Sequence, residues 1–310
     1  PPRSTLFPYT TLFRSEKSLE SINNSRHEVA AVVTQPDRIN GRNKKITFSP
    51  VKQYALDKGI PVHQFDNVSR DGEEILRSYD ADIMVTAAYG QILRQNILDI
   101  CPKGIINVHA SLLPEYRGSS PVQWAIIDGK KELGVTIMQT ELGIDTGDMI
   151  LADKVTLTDE NSEEALEKLA VLGARLVVEA LDKIEDGVAE YKKQDESKAT
   201  HCRMLRKEDG KLCFDKKAEE VVDFIRGMNP WPGAYFSCEH GVIKVLKAKK
   251  ADFCGAAGEI LFADNKKGLV IGCDDGSVEI LRIKPENGKE MDAKAYLLGK
   301  KLTVGSKISE

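Results

Sequence analysis

No run of about 18 apolar residues occurs in the sequence, so a helix of the length a bilayer demands has nowhere to form. No Cys-x-x-Cys pair and no metal-ligand spacing occurs among the six cysteines, Cys101, Cys202, Cys213, Cys238, Cys254 and Cys273. Thiols so placed read as reduced structural residues of a cytosolic protein, and no metal is expected. The opening residues combine Pro, Thr and Arg without a sustained apolar core, which does not match a secretory signal. Cytoplasmic residence away from any membrane is the expectation. Glycine is also missing from the start: none precedes Gly41.

What is present suits two globular domains: 310 residues, 41% hydrophobic and 30% charged. The net charge of −4 hides a gradient. Residues 1–200 hold 24 Lys+Arg against 31 Asp+Glu, whereas residues from 201 on hold 20 against 17. A mildly basic last third is ordinarily a solvated face, and alone it is weak evidence for nucleic acid.

Short apolar runs at 27–34, 60–63, 81–88 and 104–108 predict buried strands. Helical patterns at 51–58, 72–79 and 91–98 alternate with them; Ser49-Pro50 offers an N-cap followed by Pro at the first helical position. Such alternation predicts a Rossmann-like α/β domain with a mostly parallel sheet. A helix near 120–127, a strand at 135–138 and a long amphipathic helix over 162–185 complete it. The polar stretch from Tyr191 to Lys198 marks a change of style, and 191–206 is the expected linker. A helix at 218–226 follows, then short strands at 234–237, 242–248, 258–262, 269–273 and 277–284. Their spacing predicts a small OB-like β-barrel.

The most informative residues close the run 104–106. Asn107-Val108-His109 stands at the carboxyl end of a strand, the end at which open α/β sheets bind ligands. Asp145 follows, between Gly143 and Gly147. An amide can donate to a developing oxyanion, an imidazole can move a proton, and a carboxylate can orient the imidazole; together they suit acyl transfer to an amine. Taken singly, each has a plainer reading: a structural hydrogen-bonder, a turn former, or turn chemistry between glycines.

Longer strings narrow the choice. Asn107-Val108-His109-Ala110-Ser111-Leu112-Leu113-Pro114 is followed by Arg117-Gly118 and Pro121. To these add Thr34-Gln35-Pro36-Asp37-Arg38, a basic loop at 41–45 running into Ser49-Pro50-Val51-Lys52, Gly134-Val135-Thr136-Ile137-Met138-Gln139, and Asn229-Pro230-Trp231-Pro232. The set resembles the 10-formyltetrahydrofolate-dependent formyltransferases, and within them the methionyl-tRNA formyltransferase family, over residues 16–310. The resemblance implies a catalytic domain at 16–190, the linker at 191–206 and a tRNA-binding barrel at 207–310, in a monomer.

It also implies the reaction: a formyl group passes from 10-formyltetrahydrofolate to the α-amine of methionine on initiator tRNA, with no metal. Asn107 would hold the formyl oxygen, His109 would move the proton, and Asp145 would fix the tautomer of His109 and stabilise its charged form. Ser111, Leu112, Leu113 and Pro114 match the family's folate-contacting loop, with Tyr89 and Gly90 as another wall. Arg42, Lys44 and Lys45 lie in a loop the family directs at the tRNA acceptor stem, and Lys244, Lys247, Lys249 and Lys250 would add unspecific attraction. Two alternatives stay open. One is a relative that formylates a sugar or purine amine or hydrolyses formylfolate; the other is an inert RNA-binding relative.

One departure favours inertness. The family opens with a strand leading into Gly-Thr-Pro-Asp-Phe, whereas residues 1–15 here contain no glycine and carry Thr-Leu-Phe twice, at 5–7 and 11–13. Residues 1–15 are expected to be foreign to the native sequence. A missing central strand would leave neighbouring strand edges unpaired.

Overall fold

The computed structural model describes residues 13–40 and 45–308 of the chain. They fall into two compact units. The first gathers the described residues up to Gly118 with Glu132–Val155 and Leu166–His201; the second gathers Ser119–Lys131, Thr156–Ala165 and the described residues from Cys202 on. Of the fifteen opening residues, 1–12 lie outside the described residues, and Ser15 belongs to the first helix.

The first unit begins with α1 (Phe13–Asn23) and β1 (Val32–Thr34), then the hairpin strands β2 (Arg38–Asn40) and β3 (Lys45–Thr47). Helix α2 (Pro50–Asp57) starts as its residues dictate, with Pro50 at the first position and the Ser49 hydroxyl accepting from the Lys52 amide at 3.2 Å. Strand β4 (Val62–Gln64) pairs in parallel with β1. Leu19, Val32, Val51, Ala55 and Ile60 close a small core over this pair. Where one helix was expected at 72–79 there are two short ones, α3 (Val68–Asp71) and α4 (Glu73–Arg77), parted at Gly72. Gly72 ends α3, and a Cβ there would lie 2.9 Å from the Val68 carbonyl oxygen.

Strand β5 (Met84–Thr86), helix α5 (Gln95–Leu98) and strand β6 (Ile105–His109) follow, then the two-residue β7 (Arg117–Gly118). After α6 (Pro121–Ile127), which belongs to the second unit, come β8 (Glu132–Gln139), β9 (Met149–Thr156) and the long helix α7 (Ser162–Glu185). These strands lie in the order β5-β6-β8-β9. β5 and β6 are parallel, but β8 runs antiparallel to β6, so the sheet is mixed rather than mostly parallel. The apolar run at 135–138 signals burial on both faces, which carries no information about direction. Among the described residues β1 pairs with β4 alone and β5 with β6 alone. The residues of β5 are half-buried, and Met84 and Val33 pack against the core of Phe65, Val68, Leu76, Ile97 and Ile105.

The second unit is an antiparallel sheet with helices. After β10 (His201–Cys202) and α8 (Ala218–Met228) come β11 (Ala234–Cys238), β12 (Gly241–Ala251), β13 (Ile260–Asp264), β14 (Gly268–Cys273), β15 (Gly276–Pro285), β16 (Met291–Asp292) and α9 (Ala293–Gly299). The sheet order is β11-β12-β15-β14-β13, with β16 on β15. Phe236, Val245, Leu269, Ile271, Val278 and Ile280 fill its core beneath Val221, Ile225 and Met228 of α8. Helices α6 and α8 approach closely because Gly227 is bare: a Cβ there would sit 2.6 Å from Ile127 Cγ1. Among the described residues no helix is long and apolar enough to cross a membrane.

Candidate active site

Strand β6 carries two of the three polar residues on alternate positions. Asn107 stands opposite Thr86 of β5 and Met138 of β8, and His109 stands opposite Thr136. Val108 between them faces helix α7 at Gly173, where a Cβ would lie only 2.9 Å from Val108 Cγ1. The bare glycine therefore lets the helix press on the strand that holds the site.

The Thr86 hydroxyl donates to Asn107 Oδ1 at 2.9 Å. That contact occupies the carbonyl end of the amide. His109 is 6% exposed. Its Nε2 lies 3.0 Å from the Tyr116 carbonyl oxygen, an atom that can only accept, so the proton resides on Nε2 and Nδ1 is the basic nitrogen. Nδ1 faces Asp145 Oδ2 at 3.6 Å, beyond a direct hydrogen bond. Tautomer selection, expected of Asp145, thus falls to the Tyr116 carbonyl. The carboxylate stands where positive charge appears once Nδ1 takes a proton. Asp145 Oδ2 is itself held by the Gly118 amide at 2.8 Å.

The connection from β6 to β7 is splinted by Thr136. Its hydroxyl donates to the Ser111 carbonyl at 2.7 Å and accepts from the Leu113 amide at 3.1 Å. Ser111 Oγ donates to Glu115 O at 2.7 Å, turning the side chain back into its own loop. Leu112 lies on β8 over Gly134, where a Cβ would be 2.3 Å from Leu112 Cδ2 and 2.5 Å from the Asp153 carbonyl oxygen. Leu113 is buried and Pro114 half-buried. Of the four loop residues expected at a folate, Ser111, Leu112 and Leu113 are committed largely to shaping the loop, and much of the backbone is bonded within the fold as well: the Leu112 carbonyl accepts from the Glu115 amide at 3.1 Å and the Pro114 carbonyl from the Thr200 amide at 3.2 Å.

Tyr89 and Gly90 follow β5, on the strand beside Asn107. The Tyr89 ring packs against the Phe65–Ile105 core, and burial pushes its phenol up to about 12. Its carbonyl accepts from Gln35 Nε2 at 2.8 Å. The string at 34–38 has a local purpose: Lys52 pairs with Asp37 and donates to Gln64 Oε1 at 2.8 Å, while Gln64 Nε2 donates to the Gln35 carbonyl at 2.8 Å. Arg42 and Lys44 lie outside the described residues, and for Lys45 only the backbone, in β3, is described. In the second unit Lys249 pairs with Glu279 at 3.0 Å and Lys247 with Asp159 at 3.8 Å, which blunts the basic surface expected there.

Two protein-family models match the chain. Residues 10–181 match the formyl transferase model, and residues 204–301 match the model for the formyl transferase C-terminal domain. A methionyl-tRNA formyltransferase from Geobacter metallireducens is 39% identical over 284 residues, covering 91% of this chain and 91% of that one. A second, from Agathobacter rectalis, is 41% identical over 292 residues, covering 93% and 94%. The chain belongs to the methionyl-tRNA formyltransferase family. The fold is shared more widely than that family: an N-formyltransferase from Helicobacter canadensis, solved with folinic acid and dTDP-3-aminofucose, superposes with a TM-score of 0.66 at 20% identity, over 86% of this chain and 95% of that chain.

Beside these family positions stand residues that sequence reasoning passed over. Thr136 lies inside an apolar run and is fully buried, which masks its role as a splint. Gln194 and Glu196 lie in the stretch read as a linker, yet that stretch is bonded to the first unit: Lys192 bridges to Met149, and Gln194 reaches the Asp145 loop. Their only signal in sequence was an amide and a carboxylate in a polar segment of mixed charge.

Proposed function

We infer that the chain transfers a formyl group from 10-formyltetrahydrofolate to the α-amine of methionine carried on initiator tRNA, in the cytoplasm. The observation that carries this reading is the grouping of Asn107, His109 and Asp145 about the carboxyl end of β6, with the amide anchored through its oxygen and the imidazole's basic atom beside a carboxylate. The bound folate would supply the formyl carbon. Asn107 would donate to the formyl oxygen as negative charge collects there, a contact worth about 3 kcal/mol at the barrier. His109 Nδ1 would take the proton released as the amine attacks, Asp145 would oppose the resulting positive charge, and the proton would pass on to the folate N10 as its bond to the formyl carbon breaks. The burial of His109 would help to keep water from competing for the formyl group.

The folate would lie along the backbone of Ser111, Leu112, Leu113 and Pro114, bounded by Tyr89 and Gly90. For the tRNA, Arg42, Lys44 and Lys45 would meet the acceptor stem. The sheet of the second unit would act as a small OB-like barrel, adding phosphate contacts through Lys244 and Lys250. The test is a competition of acceptors. Purified chain and labelled formyl donor are offered charged initiator tRNA and a nucleotide-linked amino sugar in one reaction. Label should enter the tRNA alone; label in the sugar, or release of free formate without either product, would overturn the reading.

A further inference from the structure

The candidate catalytic carboxylate is held from behind by a relay that no comparison assigns. Gln194 Nε2 donates to two backbone carbonyls of the Asp145 loop, Asp145 O at 2.8 Å and Gly147 O at 2.8 Å. Its Oε1 accepts from Arg117 Nε at 3.0 Å and Nη2 at 2.8 Å. Arg117, only 2% exposed, grips the Glu196 carboxylate with Nη1 at 3.0 Å and Nη2 at 2.6 Å. The guanidinium holds the Glu196 carboxyl below its ordinary range. Glycine 118, the next residue after Arg117, supplies the amide that binds Asp145 Oδ2.

The Asp145 loop needs such support. Asp145 has φ +53°, the left-handed region, a conformation that L side chains adopt only at a cost. Gly147 turns the chain so tightly that a Cβ would lie 1.9 Å from the Gln139 carbonyl oxygen. A primary amide suits this position because it offers two donors to two carbonyls and one acceptor to two guanidinium N–H groups. Glutamate of the same length would strengthen the contact with Arg117 but set oxygen against both carbonyls.

We propose that Gln194 is a positioning residue for formyl transfer: its carboxamide, braced by Arg117 and Glu196, sets the Asp145 carboxylate opposite His109 Nδ1. This rests on the reading of Asp145 as the partner of the catalytic imidazole. Side chain and backbone of Asp145 are thereby tied to one buried arginine strand, through Gly118 on one side and Gln194 on the other. A shift of the carboxylate on the scale of an ångström is enough to cost about 100-fold in rate.

The experiment compares Gln194→Glu, Gln194→Met, Glu196→Gln, Asp145→Asn and the double variant Asp145→Asn/Gln194→Glu, measuring kcat, both KM values and the pH dependence of kcat. Gln194→Glu should lower kcat about 10- to 100-fold with each KM within about twofold, and should displace the acid limb of the pH profile. Glu196→Gln, an exposed and mild change, should lower kcat about twofold to fivefold, which keeps the test sound should the Gln194 variants fold poorly. The double variant should be no slower than Asp145→Asn alone, because both changes act on one carboxylate. Full kcat in Gln194→Glu or Gln194→Met beside a crippled Asp145→Asn overturns the proposal and leaves the site reading intact. Full kcat in Asp145→Asn overturns the site reading, and the proposal with it.

Discussion

Strands β1, β4 and β5 are three residues each and leave most of their side chains half-buried, whereas β6 spans five residues and β8 eight, and both bury most of theirs. The second group has neighbours on both edges of β6, a helix pressed close at Gly173 and a hydroxyl splint at Thr136. The first group has, among the described residues, one hydrogen-bonded neighbour for β1 and one for β5. Asn107 and His109 stand on the well-supported strand, and Asp145 is held by the Gly118 amide. Their mutual geometry therefore depends on contacts within residues 105–147 and 192–200, on Thr86 of β5 and on α7 at Gly173, and little on β1 and β4.

This difference can be broken at several points. His109→Ala should lower kcat by about 100- to 10,000-fold, since it removes the only nitrogen base in the group, and should also lower the melting temperature, because it empties a buried site and strands the Tyr116 carbonyl. Gly134→Ala forces a methyl against Leu112 and the Asp153 carbonyl, and should cost about 1–3 kcal/mol in chemical denaturation, with kcat reduced as the loop shifts. Thr136→Val keeps the shape but strands the Leu113 amide and the Ser111 carbonyl. A loss of about 1–3 kcal/mol is expected, together with a raised KM for the folate. Val33→Ala, at the half-buried position of β1, should cost about 1 kcal/mol or less and leave kcat unchanged. Equal losses of stability and rate from Val33→Ala and Thr136→Val would erase the distinction between the two regions.

Much of this was legible in the residues. The long helix over 162–185 is α7 to the residue, because its apolar stripe is long and its ends are marked. The strand bearing Asn107 and His109 was visible as an apolar run ending in polar groups. The first strands were overestimated: residues 27–34 and 81–88 read as full strands, yet only Val32–Thr34 and Met84–Thr86 pair. An apolar run specifies burial, while a strand also needs a hydrogen-bonding neighbour. Strand β9 went unseen because only one of its residues is buried and it carries no apolar alternation. Gln194 was hidden for a different reason. Its partners lie nearly fifty residues away, and nothing in a local polar stretch marks a side chain that reaches so far in the fold.

The central claim is that Asn107 stabilises the formyl oxygen during transfer to the amine of charged initiator tRNA. Single-turnover formylation by Asn107→Ala beside the unaltered chain, both saturated with folate and tRNA, tests it most directly. A rate about 100- to 1,000-fold lower, with tRNA affinity unchanged, is the predicted result. An Asn107→Ala rate equal to that of the unaltered chain would contradict it.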